Sequence, residues 1–269
     1  MTNYISLAAI LFYLLAAFSL GKTLLQPEED ARRRFRTHFF ICGYIALMFH
    51  AVTLFQNIDI AGGLNLGFYN ALSLMGWAVS LFIMIGALSR PLENLAVALF
   101  PVTVVALIFE MIFPSSRILP DTAPFGLYLH VLLSVCAYSV LTVAAVQAVL
   151  LALQDRQLAR KRPSSIMRLP PMQIMEDLLI KIIALGFFLL SLSLATGLMF
   201  VQNLFAQHLV HKTVLSILAW FIFGALLWGN WTRGWRGQTV SRWTIGGFLS
   251  LMLAYFGSKF VLELILKRV

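Results

Sequence analysis

Charge is scarce in this chain of 269 residues: Asp, Glu, Lys and Arg make up 12%, against 60% hydrophobic residues. With a mean hydropathy of +0.87, there is more apolar surface than a water-soluble core of this size can bury. Cysteine is rarer still. Cys42 and Cys136 both fall within apolar runs, which argues against a disulfide, and the absence of CxxCH means the chain is not itself a c-type cytochrome. A Gly-rich phosphate loop, an HExxH pair and a defensible Ser/His/Asp arrangement are also missing. No catalytic constellation is left, and the chain is expected not to be an enzyme. An internal repeat is not evident, so an inverted-repeat transporter has no positive support.

What the chain has is long apolar runs. A helix needs about 20 mostly apolar residues to cross the hydrocarbon, and eight runs qualify: Tyr4 to Leu24, Thr37 to Phe55, Tyr69 to Leu88, Leu92 to Ile112, Phe125 to Leu151, Leu178 to Phe200, Lys212 to Trp228 and Thr244 to Leu266. The expected fold is an all-α integral membrane protein, a bundle of about eight transmembrane helices forming one polytopic domain over residues 1–269. The first run lacks a positive n-region and is too long for a signal h-region, so it is expected to stay as a span. Pro170 and Pro171 break the helical spacing of Ile166, Leu169, Met172 and Met175, a stretch that reads as an interfacial helix on the cytoplasmic surface.

The net charge of +9 comes from Lys and Arg in short loops rather than on one face, so it speaks of topology and not of nucleic acid. Lys and Arg are kept on the cytoplasmic side. With the loops after spans one, three, five and seven inside, 15 of the 20 basic residues lie inside and 5 outside. Both termini are therefore expected outside, in the periplasm of a bacterial inner membrane.

That orientation sorts the histidines. His50 stands about five residues before the outer end of span two and His130 about five after the outer start of span five, each about 7–8 Å below the surface. His208 and His211 sit in the outer loop above, while His38 lies beside Arg36 at the inner end, where a solvated ring is expected. Ionisable groups inside spans usually face a bundle interior or cavity. Two neutral imidazoles at one depth fit the axial positions of a haem iron, with an apolar slot for the porphyrin. A single intramembrane histidine is otherwise explained by a hydrogen bond to a neighbouring carbonyl or hydroxyl. Lys259, four residues before Glu263, either pairs with it or holds a haem propionate. Glu110 reads as interfacial, Gln147 as an interhelical hydrogen bond, and Trp228, Trp231, Trp235 and Trp243 as an aromatic belt.

Several stretches together resemble the CcsA/CcmC-type cytochrome c assembly superfamily, on its HemX/YpjD-like inner-membrane branch. They are LYLHVLLSVCAYSVLTVAAVQAVLLAL around His130, LPPMQIMEDLLIKIIALGFFLLSLSLATGLMF, HKTVLSILAWFIFGALL, RGWRG at Arg233 to Gly237, and LMLAYFGSKFVLEL, covering about Leu66 to Leu266. Residues 1–65 are left as two additional spans. The resemblance implies a haem-handling protein with His130 as an outer-face haem ligand. It also shows departures: the Trp-rich WxWDPxE loop of haem-delivering members reads NLFAQHLVHKT here, their later histidine falls on Trp228, and their last external histidine has no counterpart.

The leading expectation is a haem-binding inner-membrane protein that assists cytochrome c biogenesis or haem movement, His130 being one axial ligand and His211 or His50 the other. His208 is a further candidate, and at most two of these residues would ligate iron. Expected partners are the lipid bilayer, haem and other membrane proteins of cytochrome biogenesis. The alternative is an accessory or scaffold subunit that keeps the fold without cofactor. A divalent-metal transporter using His208, His211, His50 and His130 is a third reading, weakened because the spans offer few carboxylates.

Overall fold

The structure is a computed structural model that describes residues 2–26, 28–113, 117–159, 170–200 and 210–257. The order of elements is α1 (Thr2–Leu25), α2 (Glu29–Ile58), β1 (Asp59–Ile60), β2 (Gly63–Asn65), α3 (Phe68–Gly86), α4 (Ala96–Ile112), β3 (Ile118–Pro120), α5 (Phe125–Ala159), α6 (Met172–Phe200), α7 (Val210–Arg233) and α8 (Gln238–Met252). Helix dominates because a backbone in lipid must satisfy its own N–H and C=O groups. Among the described residues seven helices are long and apolar enough to cross a membrane. The chain is an all-α integral membrane protein, with eight α-helices among the described residues. The eighth is described over 15 residues and runs into a π-helical turn at Leu253–Gly257.

Several helices outrun the apolar spans. α2 starts at Glu29 rather than Thr37, α5 continues to Ala159 past Leu151, and α6 starts at Met172 rather than Leu178. Hydropathy marks where lipid ends, whereas Arg, Lys, Glu and Gln are good helix formers that carry the backbone hydrogen bonds into water. Pro170 and Pro171 directly precede α6, a place where a missing N–H costs nothing. Residues 160–169 of the expected interfacial helix lie outside the described residues.

The chain separates into two compact units, the first comprising Met1–Asp121 and the second beginning at Thr122. In the first, α1 packs on α2 and α4, and α3 packs on α2 and α4, closing a ring of four helices. Its interior is filled by Tyr13, Phe39, Phe100, Ile83 and Leu107, all fully buried. At one end Arg36 donates Nε and Nη2 to the two carboxylate oxygens of Glu93 at 2.9 Å each. Arg36 is half exposed, so this pair contributes little beyond geometry.

A small antiparallel sheet lies at the other end of the first unit, a feature the hydropathy gave no sign of. β1 and β2 form a hairpin with Ile60 opposite Gly63, and β3 joins the far edge of β2, pairing Leu64 with Leu119. Strands of two or three residues are too short to show an alternating pattern. Gly63 is required: its φ is +141°, and a Cβ there would stand 2.0 Å from the carbonyl oxygen of Leu119. Gly63→Ala is expected to open the sheet and cost about 2 kcal/mol, the scale of one strained backbone position. Thermal unfolding of the purified protein in detergent, beside a Gly21→Ala control in α1 that meets no atom within 4 Å and has no positive φ, checks it.

The second unit repeats the ring, with α5 on α6 and α8, and α7 on α6 and α8. Gln147 of α5 donates Nε2 to the Met175 carbonyl of α6 at 3.2 Å, the interhelical bond expected of it. The α7–α8 turn is tied down where Gly237 N–H donates to Glu176 Oε1 at 2.6 Å and Asn230 Nδ2 to the Trp235 carbonyl at 2.8 Å. Trp228 and Trp231 are largely exposed, and Trp235 packs on Trp243, as an interfacial belt would.

Candidate functional site

His130 is the sixth residue of α5 and is held by α6. Its Nδ1 lies 2.8 Å from the carbonyl oxygen of Ser193. A carbonyl only accepts, so Nδ1 carries the proton and donates it. The neutral ring then keeps its lone pair on Nε2. Ser134, one turn along α5, donates to the His130 carbonyl at 2.7 Å and meets the Ser193 hydroxyl at 2.8 Å, which locks the two helices in register. Gly197, one turn beyond Ser193, is buried and offers no side chain where the imidazole passes: a Cβ there would stand 2.9 Å from His130 Cε1.

The ring forms part of the wall of a cavity of about 460 Å³, within the roughly 300–1,000 Å³ of small-molecule sites. α6 contributes Ser191, Leu194, Ala195, Gly197 and Leu198; α7 contributes Lys212, Thr213, Ser216, Ile217, Trp220 and Phe221. The lining is predominantly apolar. Trp220 is fixed from two sides, donating Nε1 to Ser191 Oγ at 2.8 Å and stacking on Phe187 with ring centroids 5.5 Å apart. Lys212, in the first turn of α7, supplies the one cation among the described lining residues, and its Nζ also stands 6.0 Å from the Tyr255 ring. The first turns of α5 and α7 and the last two turns of α6 share this end of the unit, so the histidine and the lysine border one cleft.

The other sequence candidates fare differently. His50 is fully buried in the first unit, with Nδ1 3.2 Å from Tyr13 Oη and Nε2 3.0 Å from Ser73 Oγ. Both ring nitrogens are engaged. His208 and Lys259 lie outside the described residues, and His211 is in the first turn of α7 with its side chain outside them. His38 is exposed beside Phe35. Glu110, expected at the interface, is instead buried, with 7% of its surface exposed, because α2 and α3 close over it. Among the described residues no group of three or more His, Cys, Asp or Glu is placed to hold a metal ion. Sequence reasoning missed Lys212, Trp220 and Gly197 as site residues. The recurrence of cavity positions at 212, 213, 216, 217 and 220 on α7 was the available signal; the Ser193 carbonyl left none.

The fold and the site together define the class as a polytopic helical membrane protein with an apolar cleft in whose wall stands a tautomerically fixed imidazole. The chain belongs to the cytochrome C assembly protein family, whose model matches residues 38–266. The match starts inside α2, further towards the N terminus than the stretches carrying the resemblance. The inner membrane protein YpjD of Escherichia coli strain K12 is 34% identical over 93% of this chain and 97% of its own length. An uncharacterized 28.8 kDa protein of Azospirillum brasilense is 29% identical over 84% of this chain and 86% of its own. The cytochrome c biogenesis protein CcsA of Gloeobacter violaceus is 28% identical over 34% of this chain and 28% of its own. No solved structure matches. The chain is a multi-pass inner-membrane protein of an assembly family, in keeping with the expectation that it is not an enzyme.

Proposed function

We propose that this protein binds and handles haem in the inner membrane in support of cytochrome c assembly. His130 would be one of the histidines that hold its iron, and His211 or His208, at and just before the start of α7 in the sequence, would supply the other. The observation that carries the reading is the His130 Nδ1 to Ser193 carbonyl bond, since a metal-ligating histidine characteristically donates its other ring N–H to a carbonyl or carboxylate. The apolar cleft suits a porphyrin, and Lys212 suits a carboxylate at its edge, the role the sequence had offered to Lys259. Bound there, haem would supply an iron that takes imidazole nitrogen axially. The protein's part is to fix the ring, exclude water and hold the carboxylate.

The basic residues support both termini on the periplasmic side, which sets the cleft at the outer leaflet. The bilayer, haem and other membrane proteins of cytochrome biogenesis are the partners this reading names. Purified full-length protein from haem-replete cells is expected to show a Soret band in visible spectra. A protein that emerges colourless and takes up no haem on titration would instead be the accessory subunit that kept the fold without the cofactor.

A further inference from the structure

The second unit has two further cavities at the end opposite the His130 cleft, where α6 begins and α7 ends. One, of about 270 Å³, has Glu176, Asp177 and Lys181 of α6 on one side and Trp235 and Arg236 of the α7–α8 turn on the other. The second, of about 450 Å³, runs along α7 from Trp220 to Arg233. Trp235 belongs to the walls of both, so the two adjoin.

Small residues make the long cavity. Gly224, Ala225 and Gly229 share one face of α7, where side chains four apart are neighbours, and Phe221 and Trp228 stand beside them. Phe187 of α6 closes the back, 3.4 Å from where a Gly224 Cβ would be. Gly229 lets Trp235 lie against α7, since a Cβ there would stand 2.5 Å from the indole. From Trp220 to Arg233 is about 20 Å of helix at about 1.5 Å per residue, against about 15 Å for half of a hydrocarbon core about 30 Å thick. The cavity therefore has the length of one leaflet, and its Arg233 end lies at the level of the exposed Trp228 and Trp231, where lipid headgroups begin.

The short cavity carries charge of both signs. Lys181 and Arg236 are its cations and Glu176 and Asp177 its anions, while Arg233 at the end of the long cavity adds a third positive group. Glu176 is partly committed, because its Oε1 accepts the Gly237 N–H at 2.6 Å. Among the described residues the one ion pair joins Arg36 and Glu93 in the first unit, so none of these five charges is paired with another. Asp177 and Lys181 stand four apart, where a helix offers such a pair a contact, and still do not close on each other. Opposite charges held side by side in this way suit a ligand that itself carries both signs, each placed against its complement.

We propose that this end of the second unit binds one phospholipid whose headgroup joins a phosphate to a primary ammonium, a phosphatidylethanolamine. The phosphate takes charge-assisted hydrogen bonds from Lys181, Arg233 and Arg236. The ammonium donates to the carboxylates of Asp177 and Glu176, and one acyl chain lies over Gly224, Ala225 and Gly229. Trp220, fixed by Ser191 and Phe187, is where that chain ends; it also walls the His130 cleft. The primary ammonium decides the choice of lipid. Its three N–H donors reach a carboxylate directly, whereas a choline headgroup presents methyl groups there and a glycerol headgroup has no cation. With the basic loops inside, the lipid comes from the inner leaflet.

Native mass spectrometry of the delipidated full-length protein tests this by titration with phosphatidylethanolamine, phosphatidylcholine and phosphatidylglycerol of identical acyl chains. One phosphatidylethanolamine is expected to bind at a concentration at least about tenfold below the other two, the scale of one charge-assisted hydrogen bond. Asp177→Asn is expected to lose most of that preference, Lys181→Gln combined with Arg236→Gln to weaken phosphatidylethanolamine and phosphatidylcholine alike, and Ala225→Phe, which fills the tail cavity, to weaken all three. Soluble glycerophosphoethanolamine is expected not to compete, which separates a lipid from a free phosphate ester. Equal binding of the three lipids by the wild type, a preference for phosphatidylglycerol, selectivity unmoved in both charge variants, or displacement of the lipid by the soluble ester overturns the proposal. Asp177, Lys181, Ala225 and Arg236 are exposed, so the variants are expected to fold; where one does not, the wild-type comparison of phosphatidylethanolamine with phosphatidylcholine decides. Haem content plays no part in the readout, so the outcome is independent of the haem assignment.

Discussion

His130→Ala is expected to strip the protein of haem: the Soret absorbance per mole of folded protein falls at least about tenfold, equivalent to about 1.4 kcal/mol of binding free energy. The argument rests on the tautomer. Ser193 takes the Nδ1 proton, so the one lone pair that reaches a metal is on Nε2, and no described histidine of the second unit stands in for it. Ala also leaves the Ser193 carbonyl with one fewer donor, a cost of about 1 kcal/mol, so loss of haem must be separated from loss of fold. Size-exclusion behaviour and circular dichroism make that separation, and His130→Gln, whose amide still donates to Ser193, gives a second folded control without imidazole. His50→Gln is expected to keep the spectrum, because both nitrogens of His50 are already committed to Tyr13 and Ser73. His211→Ala and His208→Ala, measured beside these, identify the second axial ligand. A Soret band that survives in His130→Ala and His130→Gln removes this residue from the site.

Gly197→Leu is expected to weaken haem binding by about 10–100-fold, the scale reported for losing a ligand's orienting partner, without removing any ligand atom. A Cβ at this position would stand 2.9 Å from Cε1, 3.2 Å from Nδ1 and 3.7 Å from Nε2 of His130. The ring must yield, since the alternative is to move the α6 backbone against α5. Yielding draws Nδ1 off the Ser193 carbonyl and frees the tautomer. The added volume in a packed position brings an overpacking cost of about 1–3 kcal/mol. Gly197→Ala should fall between wild type and Leu, because it introduces the 2.9 Å contact and nothing beyond it. Haem titration of the three proteins, with melting temperatures alongside, checks the order. Equal affinity for all three would mean that ring orientation does not govern binding.

Some of this was legible without coordinates. The apolar runs located the seven spanning helices found among the described residues, because lipid imposes one length and one backbone solution on any spanning segment. Helix ends were read short at Glu29, Ala159 and Met172, since hydropathy reports the solvent and not the hydrogen-bond ladder. His130 stood out because an imidazole in hydrocarbon is costly and seldom idle, and Gln147 found a carbonyl for the same reason.

Depth along a helix is a one-dimensional quantity that residue number alone supplies. Azimuth and neighbours are not. His50 and His130 look alike by depth, yet one is closed into a hydrogen-bonded line between Tyr13 and Ser73 and the other borders a cleft, a difference made by which helix packs opposite. The sheet that carries Gly63, the burial of Glu110, the arrival of Lys212 at the cavity and the Ser193 carbonyl that sets a tautomer were decided by tertiary structure alone. Backbone acceptors and the faces helices turn to one another carry no residue code, so only the packed chain specifies them.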